Sequence, residues 1–345
     1  MLAYLIYERT EGEKNKGFIE MFQKEGAQYG ISFLFVAKEE YQGKKLPELV
    51  LNRTRDYRVS LWYEERGIPV LHGSKLVELG NDKWKTFLHL KEYFKKQKSV
   101  FSFGKEEQKG RFSCEDRKIL PDTLYFPKLG AGEFYQRVVK EGWHKGENLV
   151  LKTVDGHGGN EVFLIPAADL ERDAFLGEQT FLGEPHFLGE IAFFGEVEAF
   201  KESGFWKERF EGLSGKRCII QEQIKSRSQD VRVYVVGNEI YHAVLRTGVK
   251  DFRSNFSLGG SVREYVLSEE EKNLVFTLLK AWKGLTLGLV GLDFIVAEDG
   301  GFIFNELEEM AGCRMLYACT ERDIVKDYVR WLAAQRTQVT IHANV

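Results

Sequence analysis

Asp293 stands inside an apolar run, and Glu306 and Glu308 close the next apolar run two residues apart. Residues at i and i+2 share one face of a strand. Three carboxylates converging from two adjacent strands are costly unless something cationic lies between them. A pair of Mg²⁺ ions holding nucleotide phosphates meets that need, because Mg²⁺ takes one or two carboxylates together with phosphate oxygens. Upstream, Arg232, Arg246 and Arg253 punctuate alternating apolar runs, and guanidinium groups are bidentate donors for the same phosphates. Residues 251–255 read DFRSN and precede Gly259 and Gly260, a polar loop carrying a cation, Arg253, and an amide, Asn255.

These residues need strands to carry them. The stretch DVRVYVVGNEIYHAVLRT alternates as strands do, and GLDFIVA and GFIFNELE read as two more. Ser268, with Glu271 three residues on, is a capping box that opens a helix over residues 268–284. Earlier in the chain, residues 149–152 form a strand ending in Lys152, followed by DGHGGN at 155–160. A glycine-rich loop lets backbone N–H groups approach phosphates, and the lysine adds a point charge. Glycine clusters alone are usually turns. His157 reads as an exposed loop histidine.

In order and spacing these motifs resemble the ATP-grasp ligases, most closely the branch holding glutamate ligases that modify a ribosomal protein. The matching residues are Asp230-Val231-Arg232, Arg246, KDFRSN at 250–255, Gly259-Gly260, Asp293, and Asn305-Glu306-Leu307-Glu308 before Gly312. The resemblance implies ATP with Mg²⁺ (or Mn²⁺). It implies Lys83, Lys152 and the flap glycines Gly158 and Gly159 on the phosphates, and Gln221, Glu222 and Ile224 against adenine. Asp230 and Arg232 join the nucleotide set, and Arg253, Arg246 and Asn255 the catalytic set. Asp293, Glu306 and Glu308 become the metal ligands. One departure stands out: the family's last ligand is usually asparagine, and this chain has Glu308.

The chain of 345 residues is long enough for two or three domains, and 43% hydrophobic with 13% aromatic residues supports real cores. A net charge of −3 implies neither a nucleic-acid patch nor a membrane-binding basic face. Cys114, Cys218, Cys313 and Cys319 show no metal or disulfide spacing, which fits a reducing cytoplasm. The N-terminus reads as a first strand, and no run approaches a membrane span.

Residues 1–78 read as an α/β domain: strands at 2–7, 31–36 and 49–52, helices at 18–29 and 59–66, then a short strand at 67–70. Strand alternating with helix argues for a parallel sheet. Arg53 and Arg55 lie where a strand's C-terminal end meets a loop, the usual ligand edge of such a sheet; they read equally as solvated loop arginines. From 79 the chain changes, with an amphipathic helix capped by Asn81 or Asp82 and then a polar excursion at 97–118. The resemblance implies a pre-ATP-grasp domain at 1–78 and an ATP-grasp domain at 79–345. Its flap lobe spans about 146–226 and its catalytic lobe about 227–335.

FLGEQT, FLGEPH, FLGEIA and FFGEVE, at 175–198, repeat with a period of six that the family does not predict. A six-residue step spreads helical side chains over three faces, and six is the step of hexapeptide β-helices. The stretch reads as an inserted, hexapeptide-like element packing on the flap lobe or on a second subunit, which leaves a homo-oligomer open.

The expected architecture is α/β: a parallel-sheet front domain, then a two-lobed ATP-grasp fold. The activity implied is carboxylate–amine ligation through an acyl phosphate, on small-molecule carboxylate and amine substrates such as amino acids or peptides. A kinase on the same fold and a non-catalytic nucleotide-binding scaffold are the rival readings.

Overall fold

The computed structural model describes residues 1–101, 118–157, 161–171, 189–248, 260–285 and 287–342. The chain divides into two compact units, Met1–Ile119 with Ser226–Val345, and Leu120–Lys225.

In the first unit, β1 (Leu2–Tyr7), β2 (Ser32–Ala37), β3 (Leu49–Asn52) and β4 (Val70–Leu71) form a parallel sheet in the order β2-β1-β3-β4. The LAYLIY run of β1 is nearly unbroken in its burial because both faces of the sheet are covered. Ala3, Leu5 and Tyr7 enter one core with Phe22, Val325 and Tyr328, while Tyr4 and Ile6 enter another with Val59 and Tyr63. Alternate residues of one strand thus serve two cores. Residues 1–78 share the larger core with the chain's last long helix, Ile324–His342.

The second sheet of this unit is antiparallel. It comprises β9 (Ser226–Val236), β10 (Glu239–Thr247), β11 (Ser261–Tyr265), β12 (Leu289–Ala297) and β13 (Phe302–Glu308), in the order β11-β10-β9-β12-β13. The expected capping box is present. The Ser268 hydroxyl accepts from Glu271 N–H at 3.2 Å, and Ser268 N–H donates back to the Glu271 carboxylate at 2.7 Å. Asp82 rather than Asn81 caps the helix Lys83–Phe101, accepting from Lys85 N–H at 2.9 Å.

The second unit is built on β5 (Thr123–Phe126), β6 (Leu149–Thr153), β7 (Val162–Ile165) and β8 (Cys218–Glu222), antiparallel in the order β5-β8-β6-β7. It begins at Leu120, just before β5, which pairs with β8 across about a hundred residues of chain. Of the hexapeptide repeat, residues 175–188 lie outside the described residues. The remainder falls in a helix, Gly189–Glu202, and not in a β-coil. Phe200 from that helix is buried against Phe134, Phe205 and Trp206, with Val197 packed on the same core. One helical face finds a core, and that burial overrides the six-residue period. Among the described residues no helix is long and apolar enough to cross a membrane.

Candidate active site

Strand register decides which charged residues meet. Arg232 of β9 lies opposite Asp293 of β12, and Asp293 lies opposite Glu306 of β13. Opposite residues in a sheet share a face, so Arg232, Asp293 and Glu306 form one row across three strands. An irregularity after Asp293 makes Phe294 pair with Phe304, leaving Asn305 as the extra residue that brings Glu306 into the row. Asp230, two residues before Arg232, lies opposite Arg246 of β10.

The side chains close a buried ion network along these rows. Arg232 donates Nε to Asp293 Oδ1 and Nη2 to Asp293 Oδ2, each at 2.7 Å, and reaches Glu308 Oε2 at 3.5 Å. Arg246 grips Asp230 through Nε at 2.5 Å and Nη2 at 2.6 Å, and bridges to Asp293 Oδ2 at 2.7 Å. Asp293 is fully buried, and Asp230, Arg232 and Arg246 are nearly so. Burial is the largest influence on the Asp293 carboxyl and pushes its pKa up. Arg232 and Arg246 together overcome it and hold the group at about 2. Arg246, expected on the phosphates, is thus occupied inside the sheet.

Glu306 differs. Its pKa is raised, first by burial and also by Asp293 and Glu308, while Lys83 and Arg232 pull the other way. Lys83, at the start of its helix, is near enough for its charge to lower the Glu306 pKa. Glu306 and Glu308, partly buried and carrying excess negative charge beside a lysine, suit a divalent cation with phosphate oxygens. Their donor set is all oxygen, as Mg²⁺ or Mn²⁺ requires.

The turn after β13 carries a residue that sequence reasoning passed over. Glu309 is buried, and its carboxyl rises to about 8 through burial and the neighbouring Glu308, with Arg55 and Arg53 only partly opposing. It packs over Gly80, where a Cβ would come within 2.7 Å of its Oε2, so glycine there admits the carboxyl. Only its position beside the acidic motif signalled it. Facing the same turn is the C-terminal edge of the front sheet. Arg53, just past β3, donates Nη2 to the carbonyls of Met310 and Ala311 at 3.4 Å and lies 5.5 Å from the Phe18 ring centre. His72, just past β4, donates Nε2–H to Leu289 C=O at 2.9 Å. Burial, then Arg53, pushes its pKa down to about 3.

In the second unit, Lys152 is nearly buried on β6, opposite Val162 and Ile219. The following loop approaches closely: a Cβ at Gly156 would stand 2.2 Å from Thr153 Oγ1. Gln221 donates its amide to Thr123 Oγ1 at 3.0 Å, and Glu222 accepts from Asp122 N–H at 2.8 Å. Ile224 follows β8, half-buried. Asp122, His144 and Glu222 place ligand-type atoms within 4.8 Å of one another, a convergence the sequence did not suggest. Gly158, Gly159, Arg253 and Asn255 lie outside the described residues.

Comparison with known proteins points the same way. Residues 206–332 match the model of the RimK-like ATP-grasp domain. The ribosomal protein bS6–L-glutamate ligase of Escherichia fergusonii is 31% identical over 132 residues, which covers 38% of this chain and 42% of that protein. The match thus spans less than half of the curated relative. Among solved structures, the D-cycloserine synthetase DcsG superposes with a TM-score of 0.62 at 12% identity, covering 97% of this chain and 99% of its own. The D-alanine–D-alanine ligase of Bacillus anthracis complexed with ATP superposes with a TM-score of 0.56 at 13% identity, covering 99% of each chain.

Proposed function

We propose that this chain, with an ATP-grasp fold and a RimK-like ATP-grasp domain at residues 206–332, is an ATP-dependent carboxylate–amine ligase. The observation that carries the reading is the row Arg232–Asp293–Glu306, continued by Glu308, with Lys83 near enough to act on Glu306. Cations and carboxylates so arranged can bind and neutralise phosphates. Among the described residues of the row there is no Ser, Cys or His to act as nucleophile, and phosphoryl transfer depends mainly on positioning and charge.

The γ-phosphoryl group passes from ATP to a substrate carboxylate oxygen, breaking the bond to the β-phosphate oxygen and releasing ADP. A neutral amine then attacks the acyl carbon, the C–O bond to phosphate breaks, and the amine gives up a proton as the amide forms. Mg²⁺, held by Glu306 and Glu308 with Asp293 behind them, would neutralise charge on the β- and γ-phosphates. Lys83 and Lys152 would hold those phosphates, with Arg253 and Asn255 at the transferring group. Gln221, Glu222 and Ile224 would meet the adenine. Relatives named as glutamate ligases support an amino acid or peptide as one substrate.

The test is ADP release and amide formation, followed by mass spectrometry, with ATP, Mg²⁺ and pooled amino acids and short peptides. Amide product together with ADP supports a ligase. A stable phosphorylated product without amide would establish a kinase, and no nucleotide turnover with any acceptor would favour a scaffold.

A further inference from the structure

At one end of the second unit's sheet, three segments far apart in the chain bring metal-ligand side chains together. Asp122 precedes β5, Glu222 closes β8, and His144 belongs to the turn before β6. Strand pairing sets this up: Thr123 lies opposite Gln221 and Leu149 opposite Glu222, so these segments share an edge. One carboxylate oxygen of Asp122, one of Glu222 and a ring nitrogen of His144 lie within 4.8 Å of one another. Asp122 N–H donates to Glu222 Oε1 at 2.8 Å, which fixes those two residues to each other. The turn holds the imidazole. Gly142 and Gly146 flank it at φ 67° and 83°, in the left-handed region that glycine enters freely, and His144 itself lies at φ 52°. Its ring stands 4.4 Å from that of Trp143, edge to face, and Trp143 packs on the unit's aromatic core.

The orientation of that ring points to a cation. Nδ1 lies 2.8 Å from Glu147 Oε2, the distance of a bond in which Nδ1–H donates to the carboxylate. With its proton on Nδ1, a neutral imidazole presents a lone pair at Nε2. That lone pair faces Asp122 Oδ2, a second acceptor, at 3.4 Å. Two acceptors do not bond each other, and the separation exceeds the ordinary N–H···O range of about 2.7–3.2 Å. It matches the spacing of two ligands on one tetrahedral Zn²⁺: with bonds of about 2.0–2.1 Å, the edge of the tetrahedron is about 3.3–3.4 Å. A metal-ligating histidine also characteristically donates its other N–H to a carboxylate, as His144 does to Glu147.

We infer that Asp122, His144 and Glu222 form a second cation site, one that takes Zn²⁺ through Nε2 of His144 and an oxygen of each carboxylate. One nitrogen with two oxygens suits Zn²⁺, whereas Mg²⁺ is held by oxygen alone. Asp122 is exposed and His144 half-buried, so water reaches the site and completes its coordination. The site is distinct from the oxygen-only carboxylates at the end of β13, which belong to the other unit. A cation held here ties the start of β5, the end of β8 and the turn before β6 together, and so stabilises the folded chain.

Calorimetric titration of the full chain with Zn²⁺ tests the site, in excess Mg²⁺ so that oxygen-only sites are occupied. The expected result is a bound Zn²⁺ that also raises the melting temperature. His144→Asn removes the imidazole and keeps a residue that tolerates the left-handed turn. It should weaken this binding about tenfold or more, as should Asp122→Asn on an exposed position. Glu147→Ala leaves all three ligands in place and removes only the carboxylate behind the ring. It should still cost about 10–100-fold, the worth of such a supporting partner. Glu308→Asn, in the other unit, should leave this Zn²⁺ affinity unchanged. Each variant is compared at parental circular dichroism without Zn²⁺, and if His144→Asn does not fold as the parent does, Asp122→Asn and Glu147→Ala decide. The site is refuted if the parent binds no Zn²⁺, if His144→Asn and Asp122→Asn bind it as the parent does, or if Glu147→Ala leaves the affinity unchanged. A His144 protonated on both nitrogens and clamped between Asp122 and Glu147 would give the first of these results.

Discussion

Replacing Arg246 with methionine separates two roles for this residue. As a phosphate contact it would matter to turnover and little to folding. The structure instead places it at 4% exposure, with three hydrogen bonds of 2.5–2.7 Å to Asp230 and Asp293. Methionine fills similar space and removes the charge. Asp293 keeps both bonds from Arg232, but Asp230 loses its two guanidinium contacts while remaining 5% exposed. Breaking a buried pair by removing one partner costs about 3–5 kcal/mol, because the other charge stays buried. At about 2–4 °C per kcal/mol for a unit of this size, melting should fall by roughly 6–20 °C. The double variant Arg246→Met with Asp230→Leu should recover much of that loss, since a buried ion pair replaced by apolar side chains is often neutral in stability. Urea unfolding followed by circular dichroism measures both. If Arg246→Met unfolds at the parental midpoint yet no longer forms ADP, the buried-network reasoning fails and Arg246 belongs to the phosphate site.

His72 gives stability a pH dependence of defined sign. Its folded pKa is about 3 against the ordinary histidine value of 6.5, so its contribution is complete above pH 6.5 and is lost as pH falls from there toward 3. By pH 5 the loss is about 2 kcal/mol, and His72→Gln should flatten that part of the urea-midpoint profile; an unchanged profile would remove His72 as its source. Lys152→Ala should cut ADP formation by roughly tenfold to a hundredfold at parental stability, the worth of one charge-assisted contact; unchanged turnover would take Lys152 out of the site. Glu308→Asn should weaken Mg²⁺ binding while keeping substantial turnover, since two carboxylates at 4 Å repel by ~4 kcal/mol at an effective dielectric near 20 and a cation relieves that repulsion. Identical metal dependence in variant and parent would show that Glu308 is not a ligand.

The sequence made the strands and their caps readable because those signals are local. LAYLIY announces a doubly covered strand, and Ser268 with Glu271 announces a helix start, without reference to anything distant. The partners of Arg232 and Arg246 depend on register between strands far apart in the chain, and spacing alone cannot tell an arginine aimed at phosphate from one locked to an aspartate. The place of β5 in its sheet was hidden for the same reason: β5 reveals its partner only once β8 is placed. The repeat misled in another way. Its period argued against a helix, but Val197 within it and Phe200 just beyond it need only one face to reach a core of aromatic rings. Nothing local marks Glu309, because the space that Gly80 leaves for its carboxyl comes from a segment far away in the chain.

The charges at the end of β13 explain why the network and the candidate metal site coexist. Arg246 with Asp230 and Arg232 with Asp293 are matched pairs, rigid because every partner is buried. Setting those pairs aside leaves Glu306 and Glu308, with Lys83 the lysine acting on Glu306. Negative charge is therefore in excess at one place, the end of the strand, and the matched pairs behind it cannot relax to neutralise it. A cation arriving there meets Asp293 already held by two guanidinium groups at 2.7 Å, so it gains an Asp293 oxygen only by competing with Arg232 or Arg246. The contact from Arg232 to Glu308, at 3.5 Å, is the weakest in the network and the first that a cation would replace. Removing that arginine would therefore leave Asp293 with Arg246 alone and make the strand end more negative. Arg232→Met should consequently lose stability and gain affinity for divalent cation together, and an affinity for Mg²⁺ that falls along with stability would show that Arg232 builds the site and does not compete for it.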